Sequence, residues 1–280
     1  MTQELTDRQA LMLHRRRAAA RPAGPALFLH ELARDDLLDR REEVNRTFTA
    51  PAVVTPFPEV WENALPGARI VPDAPVLALT EGAHDLVIHA LALHWSDDPV
   101  GQLVQCLRAL RPDGLFLGVL FGGQTLAELR ACLAQAESAL CGGLSPRVLP
   151  MGEIRDLGAL LQRAGLALPV ADAQAHQVSY RDMFHLIADL RAMGETNALA
   201  QRRRAAPPRA LFAEAAQLYQ AHFPQEQGRI RATFEMIFLA GWAPDESQPK
   251  PLRPGSATQR LADALGVTEQ RLPGRDDRDN

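Results

Sequence analysis

At 280 residues, 46% of them hydrophobic, the chain can bury one substantial core with appendages, and its net charge of −4 gives no reason to expect nucleic acid as the main partner. Lys250 is the single lysine and lies in a proline-rich tail, which sets aside Schiff-base and P-loop chemistry. Cys106, Cys132 and Cys141 have no C-x-x-C spacing, so a disulfide framework or a zinc site is not expected and a reducing compartment fits.

In chain order, Thr6 to Ala20 is helix-prone and ends in an arginine cluster that suits the helix dipole. It lacks the apolar core of a signal segment, and no apolar run reaches the roughly 18 to 20 residues of a membrane span. A cytoplasmic protein, reaching a membrane only through its partner, is the plain expectation. Leu27 to Arg40 has a partial helical pattern, Ala52 to Val54 reads as a short strand, Phe57 to Leu65 as a short helix and Ala68 to Val71 as another strand. Asp85 to His89 (DLVIH) is an apolar run too short for a helix and fit for a buried strand. Pro99 to Leu110 follows as a helix with Val100, Leu103, Val104, Leu107 and Leu110 on one face. Arg111-Pro-Asp-Gly114 stops it, with Gly114 expected in the left-handed turn, and Leu115 to Phe121 is a second buried strand.

Strand, helix and strand predict a right-handed parallel βαβ unit, and ligands in such sheets sit beyond the carboxyl ends of the strands. That rule points to His89–Asp98 and Phe121–Gln124. Downstream, helices are expected at Leu126–Leu140, Met151–Ala164, Asp182–Met193 and Pro208–His222, and strands near His176–Tyr180 and over Arg231–Trp242. Ala243 to Asn280 reads as tail, with room for a helix at Thr258–Leu265.

The D-L-V strand, the helix, the R-P-D-G turn and the L-F strand resemble class I S-adenosylmethionine (SAM) methyltransferases. More specific likeness lies in LALHW (91–95), FGGQTLAELR (121–130), GGLSPRVLP (142–150), DLGALLQRAGL (156–166), DLRAMGETNAL (189–199) and ESQPKPLRPGSA (246–257). With the opening DRQALMLHRRRAA, these resemble the complex I assembly factor family, known in mitochondria as a protein-arginine hydroxylase. More distantly they resemble the malonyl-carrier-protein methyltransferase of biotin synthesis. The resemblance implies an α/β, Rossmann-like sandwich with a helical insertion before the last strand, and the shortness of the chain before Asp85 adds a reduced N-terminal half. The expected organisation is an N-terminal helix over residues 1–24, a methyltransferase-like domain over 25–243 with its insertion at about 181–229, and a tail over 244–280. The implied role is action on a respiratory complex I subunit, arginine hydroxylation being the activity of the family. The alternatives are an active SAM-dependent methyltransferase on a small molecule or carrier protein, and a non-catalytic protein-binding module.

The implied cofactor is SAM, yet the residues argue against its usual binding. Such enzymes need a glycine loop after the first strand, because the cofactor approaches the backbone too closely for side chains. Here that stretch is AVVTPFPEVW, and no glycine occurs between Gly24 and Gly67. Asp73, after the second short strand, matches the ribose-binding acid or is a turn aspartate beside Pro72, and the following helix and third strand are contracted into Ala74–Ala83. His94, just after a strand end, is the candidate acid or base, with a structural histidine as the alternative. Trp95, Phe121, Gly122, Gly123, Arg130, Glu195, Asn197, Glu246 and Gln248 are the candidates for substrate contact. His84, His89 and His94 with Asp97 or Asp98 have the donor types of an iron site, but no spacing rule joins them, so no metal is expected. Arg130, Arg147, Arg191, Glu195 and Glu246 form a charged set suited to gripping a protein segment.

Overall fold

The computed structural model describes residues 4–249. One compact unit runs from Met1 to Asp245 and a second from Glu246 to Asn280. The helix expected at Thr258–Leu265 lies outside the described residues. Two helices open the first unit, α1 (Arg8–Ala19) and α2 (Phe28–Glu43), followed by β1 (Pro51–Val54), β2 (Arg69–Val71) and β3 (His84–Ala90). Then come α3 (Pro99–Ala109), β4 (Leu110–Phe121), α4 (Ala127–Cys141), α5 (Ile154–Ala164), β5 (Ala167–Tyr180), α6 (Met183–Met193), α7 (Arg209–His222) and β6 (Ile230–Trp242).

The strands form one sheet in the order β2-β1-β3-β4-β6-β5. β2, β1, β3 and β4 run parallel, and β6 pairs antiparallel with both β4 and β5. Against the doubly wound order 3-2-1-4-5-6, the outer parallel strand is missing among the described residues. Residues 74–83, where it and its helix belong, contain only turns and coil. The chain is a class I methyltransferase-like α/β sandwich with a reduced N-terminal half, and α6 and α7 are the helical insertion before the last strand.

Strand alternation divides the core. Leu115, Leu117, Val119 and Phe121 of β4 face the layer of α2, α4, α6 and α7, with Leu37, Cys132, Leu186 and Tyr219 packed there. Phe116 and Leu120 face α3 and α5 through Leu103, Cys106 and Leu161. Each fully buried leucine, valine or phenylalanine among them contributes about 1.5–3 kcal/mol. The ends of the helices are set by sequence: Asp98 Oδ1 accepts from Gly101 N at 2.8 Å and Asp182 Oδ1 from His185 N at 2.7 Å.

Two expectations need correction. α3 does end before Arg111, but the left-handed residue of the turn is Asp113 (φ 59), not Gly114. A Cβ on Gly114 would lie 2.9 Å from the Arg111 carbonyl oxygen, so that glycine serves close approach instead. The strand expected at His176–Tyr180 is only the end of β5, which begins at Ala167. β5 is the outermost strand of the sheet and largely exposed, so its first half carries no apolar run to mark it.

Candidate functional site

The site is built where β3 and β4 end and the insertion returns over them. After β3 the chain turns at Leu91 (φ 44) and makes a short 3-10 turn over Leu93–Trp95. This buries His94 and Trp95 under the insertion. The His94 ring lies 5.0 Å from Phe121 and 5.8 Å from Trp95 between centroids. Its Nε2 is 3.6 Å from Glu195 Oε2, and among the described residues neither ring nitrogen has a hydrogen-bond partner. Trp95 Nε1 donates to Glu195 Oε2. Glu195 is delivered by the end of α6, where Gly194 takes the left-handed cap (φ 77) and Glu195 N bonds to Leu190 O at 3.0 Å.

A buried ion cluster continues from Glu195. Arg15 of α1 is 9% exposed, and its guanidinium stands 3.7 Å from Glu195 Oε1. The same guanidinium donates from NH1 to both Asp73 oxygens, at 3.0 and 2.9 Å. Arg8 adds an ion pair at 3.3 Å and a bond to the Asp73 carbonyl. Burial works against the Glu195 carboxylate, but the His94 imidazole, the Arg15 charge and the Trp95 N–H prevail and hold its pKa at about 2. His30 and His89 lie deeper; burial pushes both down to about 4, so they are neutral in the fold.

Two hollows meet at Trp95. The larger, about 540 Å³, has apolar walls from α4, α6, α7 and β6, including Leu129, Leu133, Leu190, Phe212 and Phe234. Among the described residues Glu195 is the one carboxylate lining it, whereas Arg17, Arg21, Arg147 and Arg191 also line it. The smaller, about 120 Å³, lies at the strand ends beside Arg8, Asp73, His89, Asp97 and Gln102. Among the described residues no group of three His, Cys, Asp or Glu side chains could hold a metal ion.

Of the candidates, Trp95, Phe121, Glu195 and Asn197 line the large cleft, with His94 packed behind Trp95 and Phe121. Asn197 also ties the insertion to the loop after α4, donating to Pro146 O at 2.8 Å, and accepts from Leu199 N at 3.0 Å. Asp73 lies in the smaller hollow. Gly122 packs on β6, where a Cβ would come within 2.6 Å of Ile237, and Gly123 packs on the Glu153 carboxylate. Arg130 donates to Gly123 O and Thr125 O, both at 3.1 Å, and so braces the loop after β4. Glu246 and Gln248 fall in the second unit, Glu246 exposed and Gln248 half-buried.

Arg8 and Arg15 escaped the sequence reading. The signal was there: Leu11, Arg15 and Ala18 follow one another at helical spacing, so an arginine sits in the buried stripe of α1.

At the strand ends where methyltransferase folds hold their cofactor, β1 is followed by Thr55-Pro56-Phe57-Pro58. Phe57 and Trp61 are buried, and the Phe57 ring stands edge-on to His30 at 4.7 Å.

A methyltransferase domain family matches residues 46–118. The mitochondrial arginine-hydroxylase NDUFAF5 of Homo sapiens is 36% identical over 235 residues, covering 84% of this chain and 68% of that protein. The chain belongs to the arginine-hydroxylase NDUFAF5 family. The malonyl-[acyl-carrier protein] O-methyltransferase of Xylella fastidiosa (strain M23) is more distant, 34% identical over 184 residues, 66% of this chain and 59% of that protein. Among solved structures, the 1,6-didemethyltoxoflavin-N1-methyltransferase of Burkholderia thailandensis, with S-adenosylhomocysteine bound, aligns over 85% of this chain and 90% of that one. Its identity is 13% and its TM-score 0.43.

Proposed function

We propose that the protein acts in the assembly of respiratory complex I, binding one of its subunits in the large cleft and acting on an arginine of that subunit. Membership in the arginine-hydroxylase NDUFAF5 family carries this reading. The cleft supports it through Glu195, an ionised carboxylate in an apolar recess whose Oε1 has no hydrogen-bond partner among the described residues. A guanidinium entering the cleft finds there an acceptor and, on Phe121 and Leu190, apolar surface for its methylene stem. His94 is the group beside that carboxylate able to take or give a proton. No helix among the described residues is long and apolar enough to cross a membrane. The reading has the protein work from the cytoplasm, meeting the membrane only through its partner.

The same proposal sets SAM in its usual mode aside. The loop after β1 has no glycine and is filled by Phe57 and Trp61, the outer strand is missing, and Asp73 is taken by Arg8 and Arg15. These residues do not fit the cofactor. The lower-identity relationship to carrier-protein methyltransferases supports a methyl-transfer reading less well.

Deletion of the gene tests the role, read by native-gel activity of complex I and by mass spectrometry of its subunits. The expected result is weakened complex I activity and loss of one oxygen atom from a subunit arginine, both restored by the wild-type gene and not by Glu195→Gln. Undiminished activity with the modified arginine still present would overturn it.

A further inference from the structure

The mouth of the cleft carries charge that its interior does not explain. Arg17 near the end of α1, Arg21 just beyond it and Arg191 of α6 are exposed, line the cleft, and pair with no carboxylate among the described residues. Arg147, the fourth lining arginine, is already neutralised by Glu137, with contacts of 2.6 and 3.0 Å. Glu195 stands inside the cleft, its Oε2 accepting from Trp95 and facing His94, its Oε1 facing Arg15 at 3.7 Å without a hydrogen bond. The surplus is therefore three cations at the entrance of an apolar recess with one anion inside it.

Among the described residues, several arginines elsewhere are paired with carboxylates, and those that are not, such as Arg108, Arg155 and Arg163, do not line this cleft. Arg202 and Arg204 share Asp7, Arg40 grips Asp172 through two bonds of 2.7 Å, and Arg8 and Arg15 share Asp73. α1 and α6 pack on each other, so their unpaired arginines face one opening. An unneutralised cluster costs self-repulsion, which a partner of opposite charge removes; such a rim sets encounter rate and register rather than bulk affinity.

We infer that the occupant of the cleft is an acidic segment of the partner protein, with Asp or Glu on both sides of the side chain that enters the recess. This rests on the proposed function, which makes that side chain an arginine: its guanidinium goes inward to Glu195 while its acidic neighbours stay at the rim on Arg17, Arg21 and Arg191. The two charge signs are thereby sorted by depth. A segment of arginine among neutral residues would leave the rim unpaired, and one of arginine among basic residues would be repelled before the side chain entered.

Three labelled peptides test this with the full chain: acetyl-Ala-Asp-Leu-Arg-Leu-Asp-Ala-amide, the same peptide with Asn for both Asp, and the acidic peptide with Ala for Arg. Fluorescence anisotropy at low salt is expected to rank the acidic arginine peptide about tenfold or more tighter than the Asn peptide, with the gap closing as salt rises. The triple variant Arg17→Glu, Arg21→Glu, Arg191→Glu, folded as judged by its melting curve, is expected to reverse that ranking; the triple lysine variant is expected to retain it. Equal binding of the acidic and Asn peptides, no binding of any peptide, or a ranking untouched by charge reversal would overturn the inference. So would displacement of the acidic peptide by laurate at equimolar concentration, which would assign the rim to a lipid-like carboxylate. The gene deletion reads separately: complex I can depend on the gene while the peptides fail to discriminate, and then only the acidic-segment inference falls.

Discussion

Glu195 is where several residues take their geometry from one carboxylate. It accepts from Trp95, faces His94 and balances Arg15, while its burial alone would favour the neutral acid. Glu195→Gln keeps an acceptor for Trp95 but removes the charge. The expected cost is about 2 kcal/mol of stability, since Arg15 retains Asp73, together with loss of affinity for the arginine peptide. Denaturant midpoints and the anisotropy assay check the two parts, and a variant that binds the peptide like wild type would remove Glu195 from the site. Acid sensitivity follows from neighbouring histidines. His30 and His89, held down to about 4 by burial, take up protons below about 6.5 only when unfolded. Both pKa values are depressed, so this contribution to stability is complete above about 6.5 and is lost as pH falls towards 4. The carboxylate of Glu195, at about 2 against 4.5, adds a later loss between those values. Melting temperature is therefore expected to fall between about pH 6.5 and 4, and His30→Phe with His89→Leu to flatten that fall. An unchanged slope in the double variant would contradict the assignment. His94, Trp95 and Glu195 were legible in the sequence, the first two through their place after DLVIH and the third through likeness of DLRAMGETNAL to a family. Their mutual contact was not, because it joins residues a hundred positions apart through the Trp95–Glu195 bond.

Among the elements, α1 departs most from what its sequence announces. Its arginine-rich end reads as a solvated helix terminus, yet Leu11, Arg15 and Ala18 are buried and the helix is fastened at Asp73, Glu195 and, through Asp7, to Ala198 O at 2.7 Å. Its seat against the end of α6 depends on Gly194, where a Cβ would lie 3.0 Å from both Cα and Cγ of Arg15. Gly142 offers the comparison, since it also caps a helix with positive φ (66) but has nothing within 4 Å of a Cβ. Gly142→Ala is expected to cost about 1 kcal/mol for the left-handed backbone alone, and Gly194→Ala about 1–2 kcal/mol more because α1 must shift. Hydrogen exchange separates them: amide protection in α1 should fall only in Gly194→Ala. Equal losses would mean that α1 does not depend on this contact. Gly142 and Gly165 each follow a helical run in the sequence, where a left-handed glycine cap is expected, and both take it. β5 was not readable over its first half, because an exposed outer strand can be polar without penalty.

At the scale of the whole molecule, the chain keeps the half of the methyltransferase sandwich that carries β3, β4 and the insertion and reduces the half that would cradle a nucleoside. The absent outer strand was legible as a shortage of residues between Asp73 and Asp85, since chain length limits topology directly. That α1 supplies two arginines to Asp73 was not legible, because it depends on how a terminal helix docks. The surviving features are a deep apolar cleft, one ionised carboxylate within it and a cationic rim. Under the proposed function these features serve a partner segment rather than SAM in its usual seat. Calorimetric titration of the full chain with SAM tests that claim most directly. The account predicts only heat of dilution, with no saturation; a saturating isotherm with one-to-one stoichiometry would contradict it.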